Sequence, residues 1–144
     1  MSSTETLDLL NHLHVIHYRS LPMYLSSARP WSAYGQDDSL KTLDRIIADQ
    51  KAITDRIGGM ILDLGGAVDN GHFPMYFTAW HDVSLTYLTK VMIERQQREI
   101  VVIEKLVDGL RLVPLAQSLA QESLGEAKAH LDMLLESQQQ PAAI

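Results

Sequence analysis

Apolar residues recur along most of the chain at spacings of three and four, the period of an α-helix with one buried face. Leu10, Leu13, His17, Leu21, Tyr24 and Ala28 share such a face and predict a first helix over residues 5–28, with Thr4 as its cap. Pro22 falls inside it, removes the bond to the Tyr18 carbonyl and should kink it. Leu43, Ile46, Ile47, Ile53, Ile57, Ile61 and Leu64 predict a second helix over 39–64, capped by Asp38 or Ser39 and stopped by Gly65-Gly66. Gly58-Gly59 lies within it at roughly 1 kcal/mol per glycine relative to alanine, which a close helix crossing or a local break would explain. A third helix is predicted over 80–112, with His81, Leu85, Leu88, Met92, Glu99, Ile103, Leu106 and Leu110 inward. Pro114 suits a first turn, and Leu115, Leu119, Ala120, Ala127, Leu131 and Leu134 predict a fourth helix over 114–137. No stretch alternates like a strand.

The segment 65–79 carries turn signals at Gly65-Gly66, Asp69-Asn70-Gly71 and Phe73-Pro74. A segment of that length reaches roughly 50 Å when extended, far more than an antiparallel turn needs. It should therefore travel the length of a bundle and leave the second and third helices parallel. The tail 138–144 should be frayed. The expectation is one all-α domain over 1–144: four helices with one long crossover between the second and third.

Length and composition narrow the chemistry. A chain of 144 residues fits one domain. Its 12 basic and 18 acidic side chains leave a formal charge of −6, which argues against a nucleic-acid partner. The absence of cysteine excludes disulfide scaffolds, thiol catalysis and thiolate metal sites. The start lacks the basic and apolar regions of a signal peptide, and no apolar run approaches ~20 residues. A cytoplasmic protein with no membrane partner is expected. Histidines at 12, 14, 17, 72, 81 and 130 are the unusual feature. His12 should point outward, His14 pack, His72 be solvated, and His81 cap or pack. Phe73, Tyr76, Phe77 and Trp80 should cover the bundle's flank or line an interface.

Three patches carry a resemblance. Residues 10–18, beginning Leu10-Asn11, resemble the first helix of bacterioferritin-type and rubrerythrin-type proteins. Asp55-Arg56-Ile57 through Ile61, then Leu64-Gly65-Gly66, resembles the end of their second helix, and Ala129-His130-Leu131-Asp132 is similar to the segment around the metal-binding histidine of their fourth. The resemblance implies a ferritin-like bundle. It also implies a di-iron site built from a glutamate on each of two helices and Glu-x-x-His on each of the others.

Matched position by position, that ligand set has largely gone. His17 stands where the first inward glutamate is expected, and Gln50 and Ile53 stand at the second-helix motif. A shift by one residue puts Asp49 and Ala52 there instead. On the third helix the inward candidates are Met92, Arg95 and Gln96, with Glu94 outside. The fourth offers Glu126 and His130, with Ala127 at the strict motif position, and Lys51 stands where a haem-holding methionine would fall.

Two main readings of this layer follow, beside a third in which it does acid–base catalysis without metal. In one, His17, Gln50, Arg95, Glu126 and His130 form a buried hydrogen-bonded network in which Arg95 pairs with Glu126. In the other, His17, Glu126 and His130 bind a single divalent iron, zinc or manganese, with Asp49, Gln50 and Glu99 as further candidates. Glu99 is expected to pair with Arg95, one turn away. No catalytic residue is assigned. The expected function is a ferritin-like binding or interaction module, a homodimer through its apolar helix faces. The alternative is a metal-dependent oxidase or metal-binding protein with an altered site. Iron storage ranks last, because nothing after Ser137 resembles the short fifth helix of ferritin cages.

Overall fold

The computed structural model describes residues 2–30, 36–80 and 83–139. Among them there is no strand. The elements are α1 (Ser3–Tyr18), α2 (Leu21–Leu25), α3 (Asp37–Asp63), a 3-10 helix at Met75–Trp80, α4 (Leu85–Gly109) and α5 (Pro114–Gln139). No helix of the described residues is long and apolar enough to cross a membrane. His81 and most of the predicted frayed tail lie outside the described residues.

The predicted first helix is two helices. Its cap is Ser2 and not Thr4: Ser2 Oγ accepts from the Glu5 N–H at 3.1 Å, and the Glu5 carboxylate accepts from the Ser2 N–H at 3.4 Å. That reciprocal pair outcompetes a lone threonine hydroxyl. At the far end Pro22 produces a break rather than a kink. Ser20 leaves the helix and becomes a new N-cap, accepting from the Met23 N–H at 3.2 Å. Pro22 thereby sits in the first turn of α2, where its missing N–H costs nothing.

Helix α3 begins at Asp37, earlier than predicted, and no side chain caps it; Asp37 and Asp38 instead face the positive helix end. It runs unbroken through Gly58 and Gly59. Gly58 faces α1, and a Cβ there would make ordinary contact with Nε2 of His14 at 3.7 Å. Gly65, at φ +82, closes α3: its N–H reaches the Leu62 carbonyl at 3.0 Å and the Gly66 N–H reaches Ile61 at 2.9 Å. Helix α4 starts at Leu85 rather than residue 80, because Trp80 ends the 3-10 helix and Ser84 supplies the cap. It stops at Gly109, three residues short of the predicted end.

The crossover runs beside α1, in the direction of α1. Gly66 lies against Leu7. Asn11 then holds both sides of the strand-like backbone, donating to the Ala67 carbonyl at 3.0 Å and accepting from the Asp69 N–H at 2.7 Å. Gly71, at φ +58, packs on Val15, and Arg19 Nε donates to the Asn70 carbonyl at 2.8 Å. Phe73 and Phe77 then meet Tyr24, at ring distances of 5.3 and 5.6 Å. So the segment does travel the bundle's length. Ser39 touches Ser137 at 2.8 Å, joining the start of α3 to the end of α5, and the end of α4 at Gly109 packs on Leu9 near the start of α1. Helices α3 and α4 are therefore parallel, while α1–α3 and α4–α5 are antiparallel pairs.

The core is apolar in two halves. One contains Leu10, Leu13, Ile57, Ile103 and Leu106; the other contains Leu21, Leu43, Ile46, Phe77 and Leu88. The crossover aromatics do cover the flank, with Phe77 fully buried. In α5 the first apolar position is corrected by one residue: Ala116 is buried and Leu115 is 78% exposed.

Asn11 satisfies two backbone groups of a segment with no ladder of its own. Asn11→Ala should cost about 1–2 kcal/mol in urea unfolding, two partly solvated hydrogen bonds' worth. It should also speed amide exchange at 67–71 more than in α4. Unchanged exchange there would refute this anchoring role.

Candidate functional site

Between the two apolar halves each long helix turns a buried polar side chain inward. These are His17 from α1, Gln50 from α3, Gln96 from α4 and His130 from α5. Their neighbours along each helix fix the level. His17 lies between Leu13 of one half and Leu21 of the other, Gln50 between Ile53 and Ile46, Gln96 between Ile100 and Met92, and His130 between Ala127 and Leu134.

On α4 the inward residue is Gln96, whose Nε2 donates to the Ala127 carbonyl at 3.0 Å. Met92 belongs to the upper apolar half. On α3 both open candidates are used. Gln50 Oε1 accepts from Ser20 Oγ at 2.6 Å, while Asp49 faces α5, its Oδ2 2.9 Å from His130 Nε2. Arg45 Nε holds Asp49 from the other side at 3.2 Å.

His17 has no such support. It is 4% exposed, and neither ring nitrogen has a partner. Burial lowers its pKa to about 4, and the charges that His130 and His14 would carry push it the same way. At neutral pH it is a neutral imidazole. Burial also lowers His14, which packs over Gly58 as expected of a core histidine. His12 and His72 are exposed, as the sequence indicates.

The expected Arg95–Glu126 pair is not formed. Arg95 turns away from the layer, toward the crossover: Nη1 donates to Tyr76 Oη at 2.7 Å, and the guanidinium lies 4.7 Å from the Phe77 ring centroid. The aromatic flank draws it there. Its carboxylate partner is Glu99, at 3.8 Å, as the one-turn spacing predicts. Burial raises Glu99 to about 7, against the pull of Arg95 and Arg98. Glu126 sits at the α3–α5 edge with Oε2 unpartnered. Burial raises its pKa, and the nearby His130 lowers it. Glu126→Ala should therefore cost well under the roughly 3–5 kcal/mol of a broken buried pair.

His17 and His130 thus share a level, and Glu126 lies one turn from His130 on α5. Among the described residues, however, no group of three or more histidine, aspartate or glutamate side chains is placed to hold a metal ion. Gln96, Ser20, Arg45 and Tyr76 complete the network. Ser20 had a readable signal, a serine two residues before a proline. Arg45 stands at i,i+4 to Asp49. No protein-family model, curated protein or solved structure matches the chain.

The two strongly shifted groups pull stability in opposite directions. His17 binds a proton less readily folded than unfolded, so stability should fall as pH drops from 6.5 toward 4, by about 3 kcal/mol. Glu99 holds its proton more readily folded, so its contribution is present below pH 4.5 and lost as pH rises through 7. Urea unfolding from pH 4 to 8 separates them. His17→Gln should flatten the acid loss, and Glu99→Gln should exceed the parent in stability at pH 8 but not at pH 4. Equal stability of Glu99→Gln and the parent at pH 8 would refute the burial penalty.

Proposed function

We propose that this chain is a ferritin-like bundle whose mid-bundle layer no longer builds a di-iron oxidase centre. It works as a cytoplasmic, homodimeric binding or interaction protein rather than as an enzyme. The topology supports the first part: two antiparallel helix pairs, with a crossover running the bundle's length between them.

One observation carries the second part. The four inward positions of the layer are His17, Gln50, Gln96 and His130, none of them acidic. The nearby carboxylates are Asp49 and Glu126 at the α3–α5 edge, and Asp49 is committed to His130 and Arg45. Two dications need bridging anions on several sides to offset their charge in a low-dielectric core. These residues do not fit that group. Aerobic ferrous titration, followed by absorbance and by iron content per chain, should show neither two irons bound nor rapid oxidation. Two irons per chain with fast oxidation would overturn the reading.

A second reading rests on the unpartnered atoms. Both nitrogens of His17 and Oε2 of Glu126 lack partners, and Arg95 is turned away from them. A single divalent iron, zinc or manganese held by His17, Glu126 and His130, with Asp49 adjacent, would satisfy them once the side chains close on it, since as placed no three of them converge. Zinc calorimetry distinguishes the readings. One equivalent bound, and lost in both His17→Ala and Glu126→Gln, supports this second site; no heat supports the first.

A further inference from the structure

Gly58 and Gly59 are consecutive, yet the fold uses one of them. Gly58 receives His14 of α1, whereas a Cβ on Gly59 would meet no atom within 4 Å. Gly59 therefore weakens an exposed helix interior with no packing return inside the chain. It lines a groove of about 400 Å³ between α3 and α5 that includes none of the layer's four inward residues.

The groove's residues are arranged for a two-fold partner. Along α3, Arg56, Gly59, Met60 and Asp63 all line it. That stripe reads cation, small, apolar, anion, and its two charges lie equally far from the Gly59–Met60 midpoint. In an isologous contact each residue meets its opposite number's complement. An antiparallel copy of α3 turned about that midpoint would set Arg56 against Asp63 of the partner subunit, and Asp63 against Arg56 of the partner subunit.

The two charges differ in how they are held. Arg56 is fixed at the groove's rim by Glu122, with contacts of 3.2 and 2.6 Å. Asp63 forms no ion pair among the described residues. Leu115, 78% exposed, protrudes beside the same groove. A knob next to a hollow on one face is the shape that a self-complementary contact requires.

We infer that this face binds a second copy of the chain, α3 packing antiparallel on α3 across Gly59. The inference takes up the dimer of the proposed function but uses a face apart from the polar layer. Failure here leaves the iron result untouched, and the reverse also holds.

Sedimentation equilibrium tests it on the full chain, with circular dichroism to verify helix content. The parent should be a dimer at micromolar concentration. Gly59→Arg, whose Cβ would meet no atom within 4 Å, should be a folded monomer. Arg56→Asp and Asp63→Arg each set like charges across the axis twice, and each should weaken the dimer by at least about tenfold. Mixing these two single variants restores both opposite-charge pairs and should recover a heterodimer near parental affinity. A monomeric parent, an intact dimer in folded Gly59→Arg, or a mixture no tighter than its components would overturn the inference.

Discussion

The architecture depends on how a long extended segment finds hydrogen-bond partners while crossing the bundle. Backbone groups that pair with neither water nor protein are costly. Residues 67–73 lie in no helix or sheet; α1 supplies partners through Asn11 and Arg19, and Asp69 Oδ1 accepts from the Gly71 N–H. That attachment delivers the chain to the end of the bundle where α3 began, so α4 must run parallel to α3. Orientation of the second helix pair therefore follows from a few polar contacts on the outer face of the first. The Leu10-Asn11 start acquires a physical role here: Leu10 enters the core, and Asn11, one residue on, faces the crossover.

Once the pairs are set, the polar side chains of four helices meet between two apolar halves. Most pay for their burial with a partner: Gln50 with Ser20, Gln96 with the Ala127 carbonyl, His130 with Asp49. His17 is the exception. An imidazole without partners loses its hydration and gains nothing in return, which is why it stays neutral. His17 is thus neutral inside the layer, and Arg45, Asp49, Glu126 and Arg56 collect at its α3–α5 edge. A centre that binds hard cations needs the opposite distribution, anions inside. Amides and imidazoles at the inward positions therefore set the electrostatics of the core without altering the helix packing around it.

Much of this was readable from periodicity. The bodies of α3, α4 and α5, the Gly65 stop and the layer positions of His17, Gln50 and His130 follow from local rules. Two of the failures, at Arg95 and at Asp49, share one cause, a contact from a distant segment. Arg95 and Gln96 are about 100° apart on α4, so spacing leaves the inward choice open; the crossover's Tyr76 and Phe77 settle it by attracting the guanidinium. Asp49 and Gln50 pose the same ambiguity, resolved because α5 offers an imidazole to one and α2's cap a hydroxyl to the other. The break before Pro22 was visible only as a kink, since the stabilising feature was Ser20's double role as cap and as donor to Gln50. Leu115 looked like core because it is apolar near the start of a helix, but Ala116 takes the inward position.

Helix α3 shows how one element divides its surface among several tasks. Its Gly58 side admits α1 closely, its Asp49 and Arg56 side exchanges ion pairs with α5, and its Gly59 side faces solvent. Neighbouring residues on a helix diverge by about 100°, so two consecutive glycines cannot serve one crossing. A Cβ on the first would touch His14 at ordinary contact distance, and the second is a bare stretch of backbone between opposite charges. Selection for stability alone would favour a side chain there, because alanine would gain roughly 1 kcal/mol at no steric cost. The glycine is consistent with a demand from outside the fold, and the closest approach it permits is that of another helix.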